Sequence, residues 1–230
     1  MLTIGVSLKM YFGQRQTVDW CRAVAAFAAR HPALARQTVE LFVLPAAPMI
    51  AQVLEIFAGT PVRVGAQNVH THDSGAFTGE VSGALLREMG CRYAAVNHAE
   101  RRRLFGEDNA TATAKVAACW RNGLTPVLCV GEPAEASEIL GDSASPVILA
   151  YEPPWAIGQA EPAPVAHIRA VTASLRRGNG RVLYGGSAGP GLLTSIGDSA
   201  DGLFLGRFAH DPAGVEAVLD EAQAMACLSG

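Results

Sequence analysis

Eight short runs of apolar or β-branched residues recur along the chain: LTIGVS (2–7), VELFVLP (39–45), VRVG (62–65), YAAVN (93–97), TPVLCV (125–130), VILAYE (147–152), RVLYGG (181–186) and GLFLG (202–206). Most are apolar throughout rather than alternating, the pattern of strands buried on both faces of a parallel sheet. Between them, apolar positions return at helical spacing over 17–31, 49–59, 83–90, 109–123, 164–178 and 214–228. Alternating strands and helices build βαβ units, and eight such units close a barrel. The pattern therefore predicts an α/β fold, one (β/α)8 barrel over residues 1–230. Two connections are thin. EPAEASEILGDSASP (132–146) leaves room for a fifth helix of only a turn or two, and the segment between Trp155 and Tyr184 is compact.

Composition narrows the class of partner. The 230 residues are 50% apolar and 17% charged, enough to bury a large core, and no low-complexity linker divides them. A formal charge of -3 gives no general attraction to nucleic acid or anionic lipid, so the expected partner is small. No segment reaches the roughly 18 consecutive apolar residues of a membrane span, and no basic stretch precedes an apolar run at the N-terminus. A cytoplasmic protein is expected. Cys21, Cys91, Cys119, Cys129 and Cys227 are scattered and odd in number, which predicts reduced, mostly buried thiols, with Cys129 in the core rather than acting as a nucleophile.

In barrels of this kind, ligands meet the C-terminal ends of the strands. Strand one exits through Ser7 and Lys9, strand four through Asn97, His98 and Glu100, and strand six through Glu152. Glu152 ends an apolar strand and precedes PPWAIG, a stiff hinge leading to small residues able to close over a ligand. Removed from water, a carboxylate becomes a better base for a proton next to a carbonyl. The competing reading is a helix-capping or salt-bridged carboxylate. His98 precedes a possible helical turn, where the dipole favours a neutral imidazole donor, although a lone strand-end histidine is often structural. Glu100 offers Lys9 an ion pair, holding the ammonium where it can stabilise a developing enediolate oxygen. Glycine-rich turns at GGSAG (185–189) and GR (206–207) match the loops that present backbone N–H groups to phosphate.

The segments GAQNVHTHDSGAFTGE (65–80), NHAERR (97–102), AYEPPWAIG (150–158), YGGS (184–187) and DGLFLG (201–206) resemble triosephosphate isomerase over nearly the whole chain. The resemblance implies the TIM barrel, with Glu152 as base, His98 as electrophile, Lys9 as electrostatic lysine and Glu100 as its supporting carboxylate. It further implies phosphate binding at Gly158, Gly186, Ser187 and Gly206, and a homodimer in which Thr78 reaches the neighbouring subunit's site. A glutamate base, a neutral histidine and a closing loop are the known mechanism of that family, and they come to this chain with the resemblance. No cofactor is expected. His70, His72 and Asp73 have the spacing of a metal cluster, but they fall in the segment resembling the dimer loop, so no metal is expected.

Four departures separate the chain from that family. Ser7-Leu8-Lys9 replaces the usual Asn-x-Lys, Asn97-His98-Ala99-Glu100 replaces Gly-His-Ser-Glu, and Gln159-Ala160-Glu161 replaces Thr-Gly-Lys at the end of the closing loop. Gly206-Arg207 replaces Gly-Gly, with Arg207 either pointing to solvent or adding a charge-assisted contact to the phosphate. These changes resemble a divergent branch associated with four-carbon ketose phosphates such as erythrulose phosphate. Three readings follow: interconversion of glyceraldehyde 3-phosphate and dihydroxyacetone phosphate, isomerisation of a four-carbon ketose phosphate, or a barrel that binds sugar phosphate without catalysis.

Overall fold

The computed structural model describes residues 1–178 and 180–228. Eight parallel strands close a barrel in chain order: β1 (Leu2–Ser7), β2 (Val39–Leu44), β3 (Arg63–Ala66), β4 (Tyr93–Val96), β5 (Thr125–Val130), β6 (Ile148–Tyr151), β7 (Arg181–Tyr184) and β8 (Gly202–Leu205). Each falls within two residues of its predicted run. The ring closes where Thr3 pairs with Gly202 and Val6 with Leu205. Around it lie α1 (Gln14–Ala28), α2 (Pro32–Ala35), α3 (Ile50–Ile56), α4 (Gly83–Met89), α5 (Ala99–Phe105), α6 (Asn109–Arg121), α7 (Pro133–Leu140), α8 (Val165–Leu175), α9 (Leu192–Ile196) and α10 (Pro212–Leu228). No helix among the described residues is long and apolar enough to cross a membrane.

Successive strand residues face opposite ways, so each strand feeds two cores. One set, including Ile4, Val6, Leu41, Val43, Leu149 and Val182, packs outward against the helices. The other, including Phe42, Leu44, Tyr93, Val127, Ile148, Leu183 and Phe204, fills the barrel. Its large rings need small neighbours: a Cβ on Gly5 would lie 2.3 Å from Phe42 and 2.8 Å from Phe204. The floor is polar and closed. Arg181 donates to Glu40 and to the Thr3 hydroxyl, each at 2.6 Å, and the Tyr93 hydroxyl donates to Glu40 at 2.5 Å. Burial, and then the neighbouring Glu40, push the Tyr93 phenol up from its ordinary value.

The shortened fifth helix is present as α7, eight residues between β5 and β6. Pro133 starts it without sacrificing an intrahelical donor, Glu135 reaches back to accept from the Gly131 N–H at 2.7 Å, and Gly141 ends it at φ 53°. The helix predicted over 17–31 starts earlier and ends at Ala28. Pro32 cannot continue it, and the chain restarts as α2 with the His31 ring accepting from the Ala33 N–H at 3.3 Å. Cys21, Cys91, Cys119 and Cys129 are free and buried, as the composition predicts; the Cys227 side chain lies outside the described residues.

Candidate active site

Ser7, Gln67, Asn97, Glu152, Gly185 and Gly206 lie two residues beyond interior positions on their strands: Gly5, Gly65, Ala95, Ala150, Leu183 and Phe204. They therefore continue the inward alternation past the point where the barrel is packed. This is why residues far apart in the chain converge at one mouth.

Glu152 is held by its own backbone N–H, which donates to Val130 O at 2.9 Å, and its side chain is almost wholly buried. Oε2 has no hydrogen-bond partner among the described residues and lies 3.6 Å from His98 Nε2, which has none either. Two buried polar atoms left open toward each other are costly unless a ligand comes between them. Below them sits Cys129, whose thiol is pushed well above its usual range by burial and by the adjacent Glu152 carboxylate. It is a buried neutral thiol, not a nucleophile.

His98 is the N-cap of α5, and its Nδ1 accepts from the Glu100 N–H at 3.1 Å. Nδ1 therefore carries no proton, so the free Nε2 is the donor, in agreement with the neutral imidazole expected at a helix start. Asn97 sets up this cap from the left-handed region at φ 65°, which asparagine tolerates. Its amide is tied on both sides, Nδ2 to Cys129 O at 2.9 Å and Oδ1 from Arg102 at 2.8 Å.

Lys9 also lies in the left-handed region, at φ 48°, where a long side chain is strained. Gln67 holds it there by donating to Lys9 O at 3.0 Å and to Leu44 O at 2.9 Å. The ammonium meets Glu100 at 2.8 Å. Burial opposes the Glu100 charge, but the Lys9 hydrogen bond and the attraction of the Lys9 and Arg103 charges outweigh it, leaving the carboxyl below its ordinary value.

A cavity of about 490 Å³ opens over these groups, bordered by Ser7, Lys9, Glu152, Gly158, Ser187, Gly206 and Arg207. A second, of about 400 Å³, adjoins it and is bordered by Ser7, Lys9, Gln67 and His98. Ser7 thus stands where the two meet, its hydroxyl unpartnered among the described residues. A third cavity beyond Glu152 is bordered by Ala99, the position of the missing serine hydroxyl.

The segment after β6, the lid, borders the first cavity through Gly158, Gln159 and Ala160 and is tied down from two other strands. Ser187 Oγ shares its one proton between Ala156 O at 2.8 Å and Gln159 O at 2.9 Å, the Tyr184 hydroxyl accepts from the Ala163 N–H at 2.8 Å, and the Arg207 guanidinium donates to Gly158 O. Arg207 therefore does not simply point into solvent. Gly158, at φ 76°, and Ser187, at φ 54°, both use left-handed backbone to bring their peptide groups to the cavity.

Two expected residues lie elsewhere. Gly186 does not border the cavity. A Cβ there would come within 2.6 Å of the Tyr184 hydroxyl, so its role is to admit that ring. Thr78 sits on an exposed turn between β3 and α4, outside its own chain's cavity. In the same loop the rings of His70 and His72 pack against Phe77 with centroids at 4.3 and 4.7 Å, while Asp73 takes a two-pronged bond from Arg121. Three contributors were missed from sequence: Gly185, Tyr184 and Gln67. The YGGS and GAQN segments contained all three, but their partners lie on other strands.

The family model described as triosephosphate isomerase matches residues 2–222. L-erythrulose-1-phosphate isomerase of Pectobacterium atrosepticum is 52% identical, over 96% of this chain and 95% of that protein. Triosephosphate isomerase of Dechloromonas aromatica is 42% identical, over 74% of this chain and 80% of that protein, and the enzyme of Moorella thermoacetica is 33% identical, over 82% and 88%.

Proposed function

We propose, from the premise that the chain belongs to the triosephosphate isomerase family and is an isomerase, that its substrate is a phosphorylated four-carbon ketose. One observation supports the four-carbon reading: the catalytic cavity shares Ser7, Lys9 and Glu100 with a second, adjoining one. With the phosphate at the Gly158, Ser187 and Gly206 end, a fourth carbon would extend from the reacting carbon toward Ser7, the side on which the second cavity adjoins. The 52% identity to a protein named for L-erythrulose 1-phosphate supports the same reading.

In the proposed reaction Glu152 removes the proton from C3, next to the C2 carbonyl of the ketose 1-phosphate. The electron pair moves into a C2–C3 double bond and onto the carbonyl oxygen, where Lys9 and the His98 Nε2–H stabilise the charge. Returning the proton to C2, while the proton of the C3 hydroxyl passes to the C2 oxygen, leaves a hydroxyl at C2 and the carbonyl at C3. Nothing is gained or lost, and neither metal nor cofactor takes part.

The triose reading keeps one specific support: Lys9, His98, Glu100 and Glu152 form a complete proton-transfer set that does not depend on chain length. In either reading the enzyme works as a homodimer. Met10, Leu104 and Phe105, all strongly exposed, border the second cavity, and the family resemblance supports a dimer in which the turn carrying Thr78 in one subunit covers that rim on its partner.

Proton NMR in D2O, with L-erythrulose 1-phosphate in one tube and dihydroxyacetone phosphate in another, tests the substrate. The four-carbon ketose should turn over, and Glu152→Gln should slow it about 10³-fold. Turnover of the triose alone would select the second reading, and turnover of neither would overturn both.

A further inference from the structure

Two cations border the catalytic cavity. Lys9 is neutralised by Glu100, whereas Arg207 has no carboxylate within ion-pair distance among the described residues. Its bond is to the neutral carbonyl of Gly158, on the lid. The other lid ties, Ser187 and Tyr184, come from β7 and its exit loop, whereas Arg207 comes from the exit of β8. An uncompensated guanidinium bonded to the lid lies beside the backbone of Gly158, Ser187 and Gly206, the end assigned above to phosphate.

We propose that Arg207 is a positioning residue that fastens the lid over the substrate's phosphate. One N–H holds the Gly158 carbonyl while the charge, spread over the planar guanidinium, attracts the phosphate. Lid closure and phosphate binding then strengthen each other, and the coupling is reciprocal. Lysine cannot replace it, because a compact ammonium lacks the fork needed to engage carbonyl and phosphate together. The inference rests on the reading of the ligand as a sugar phosphate.

The test uses the full-length protein, Arg207→Gly and Arg207→Gln, with inorganic phosphate as the probe. Amide hydrogen exchange of residues 157–161 is followed with and without phosphate, and kcat and KM are measured on the preferred ketose phosphate. In the wild type, phosphate should slow lid exchange. Arg207→Gly should exchange faster without phosphate, lose the phosphate-dependent slowing, and raise both the phosphate dissociation constant and KM about tenfold, with kcat nearly unchanged. Arg207→Gln keeps an N–H for Gly158 but no charge, and should lose chiefly the phosphate-dependent part. Circular dichroism verifies that each variant is folded. Wild-type lid exchange and phosphate affinity in folded Arg207→Gly would overturn the proposal while leaving the isomerase reading intact. Failure of the wild type to bind phosphate or turn over either ketose phosphate would remove the reading beneath it.

Discussion

Gly185 carries no side chain because Glu152 occupies the space one would need: a Cβ there would lie 2.7 Å from Glu152 Cγ and 3.0 Å from Oε1. Alanine at this position must displace the carboxylate from the line to His98, and misplacing a base by about 1 Å costs on the order of 10²-fold. Gly185→Ala is therefore expected to lower kcat about a hundredfold while inorganic phosphate inhibits as before. An unchanged kcat would mean that Glu152 is not the base. At this scale the sequence was legible wherever chemistry and strand ends coincide, as at Lys9, His98, Glu100 and Glu152. It was not legible where a residue matters for the room it leaves or the distance it spans. Gly185 and Gly186 look alike in YGGS, yet only Gly185 faces the carboxylate, while Arg207 meets a carbonyl 49 positions away. Lys115, within the run TATAKVAA, looks solvated but is buried against Glu107 at 2.5 Å and Asn68 at 2.7 Å.

Among the elements, the strands were the easiest to read, since a run apolar on both faces has few other uses. The loops were harder, because their order comes from side-chain bonds across the fold. The β3–α4 loop is held by Asp73, whose carboxyl is brought down to about 2 by the hydrogen bonds from Arg121 and Asn122. Its backbone carbonyl also accepts from Ser82 at 2.6 Å. A carboxyl whose folded value lies below its ordinary 3.8 contributes stability above that pH, and the contribution disappears as the pH falls toward the folded value. Asp73→Asn should therefore melt at a lower temperature than the wild type at pH 5, with the difference closing between pH 3.8 and 2. A difference independent of pH would assign the effect to shape rather than charge. One boundary moved for a covalent reason: α1 stops short of the predicted residue 31 because Pro32 cannot continue it and instead begins α2.

For the molecule as a whole, the exposed Met10, Leu104 and Phe105 beside the second cavity form the surface on which the homodimer proposal rests. Phe105→Asp is expected to yield monomers by light scattering and to cut activity at least tenfold, because the cavity behind Lys9 loses its cover. Full activity in a monomeric variant would refute the dimer's part in catalysis. The fifth crossover shows how unevenly the barrel spends its chain: α7 is only eight residues long, yet β5 and β6 still pair from Val127 and Ile148 to Val130 and Tyr151. The alternation that carries Glu152 and Ser7 inward has a consequence of its own. Each of the six strands that continue it to the mouth ends in a socket that stands above the packed layers, so a single exchange at a rim position alters the mouth without repacking what lies beneath. Inserting a single residue into β6 would instead turn the base toward the helices and leave the phenol of Tyr151 in the mouth.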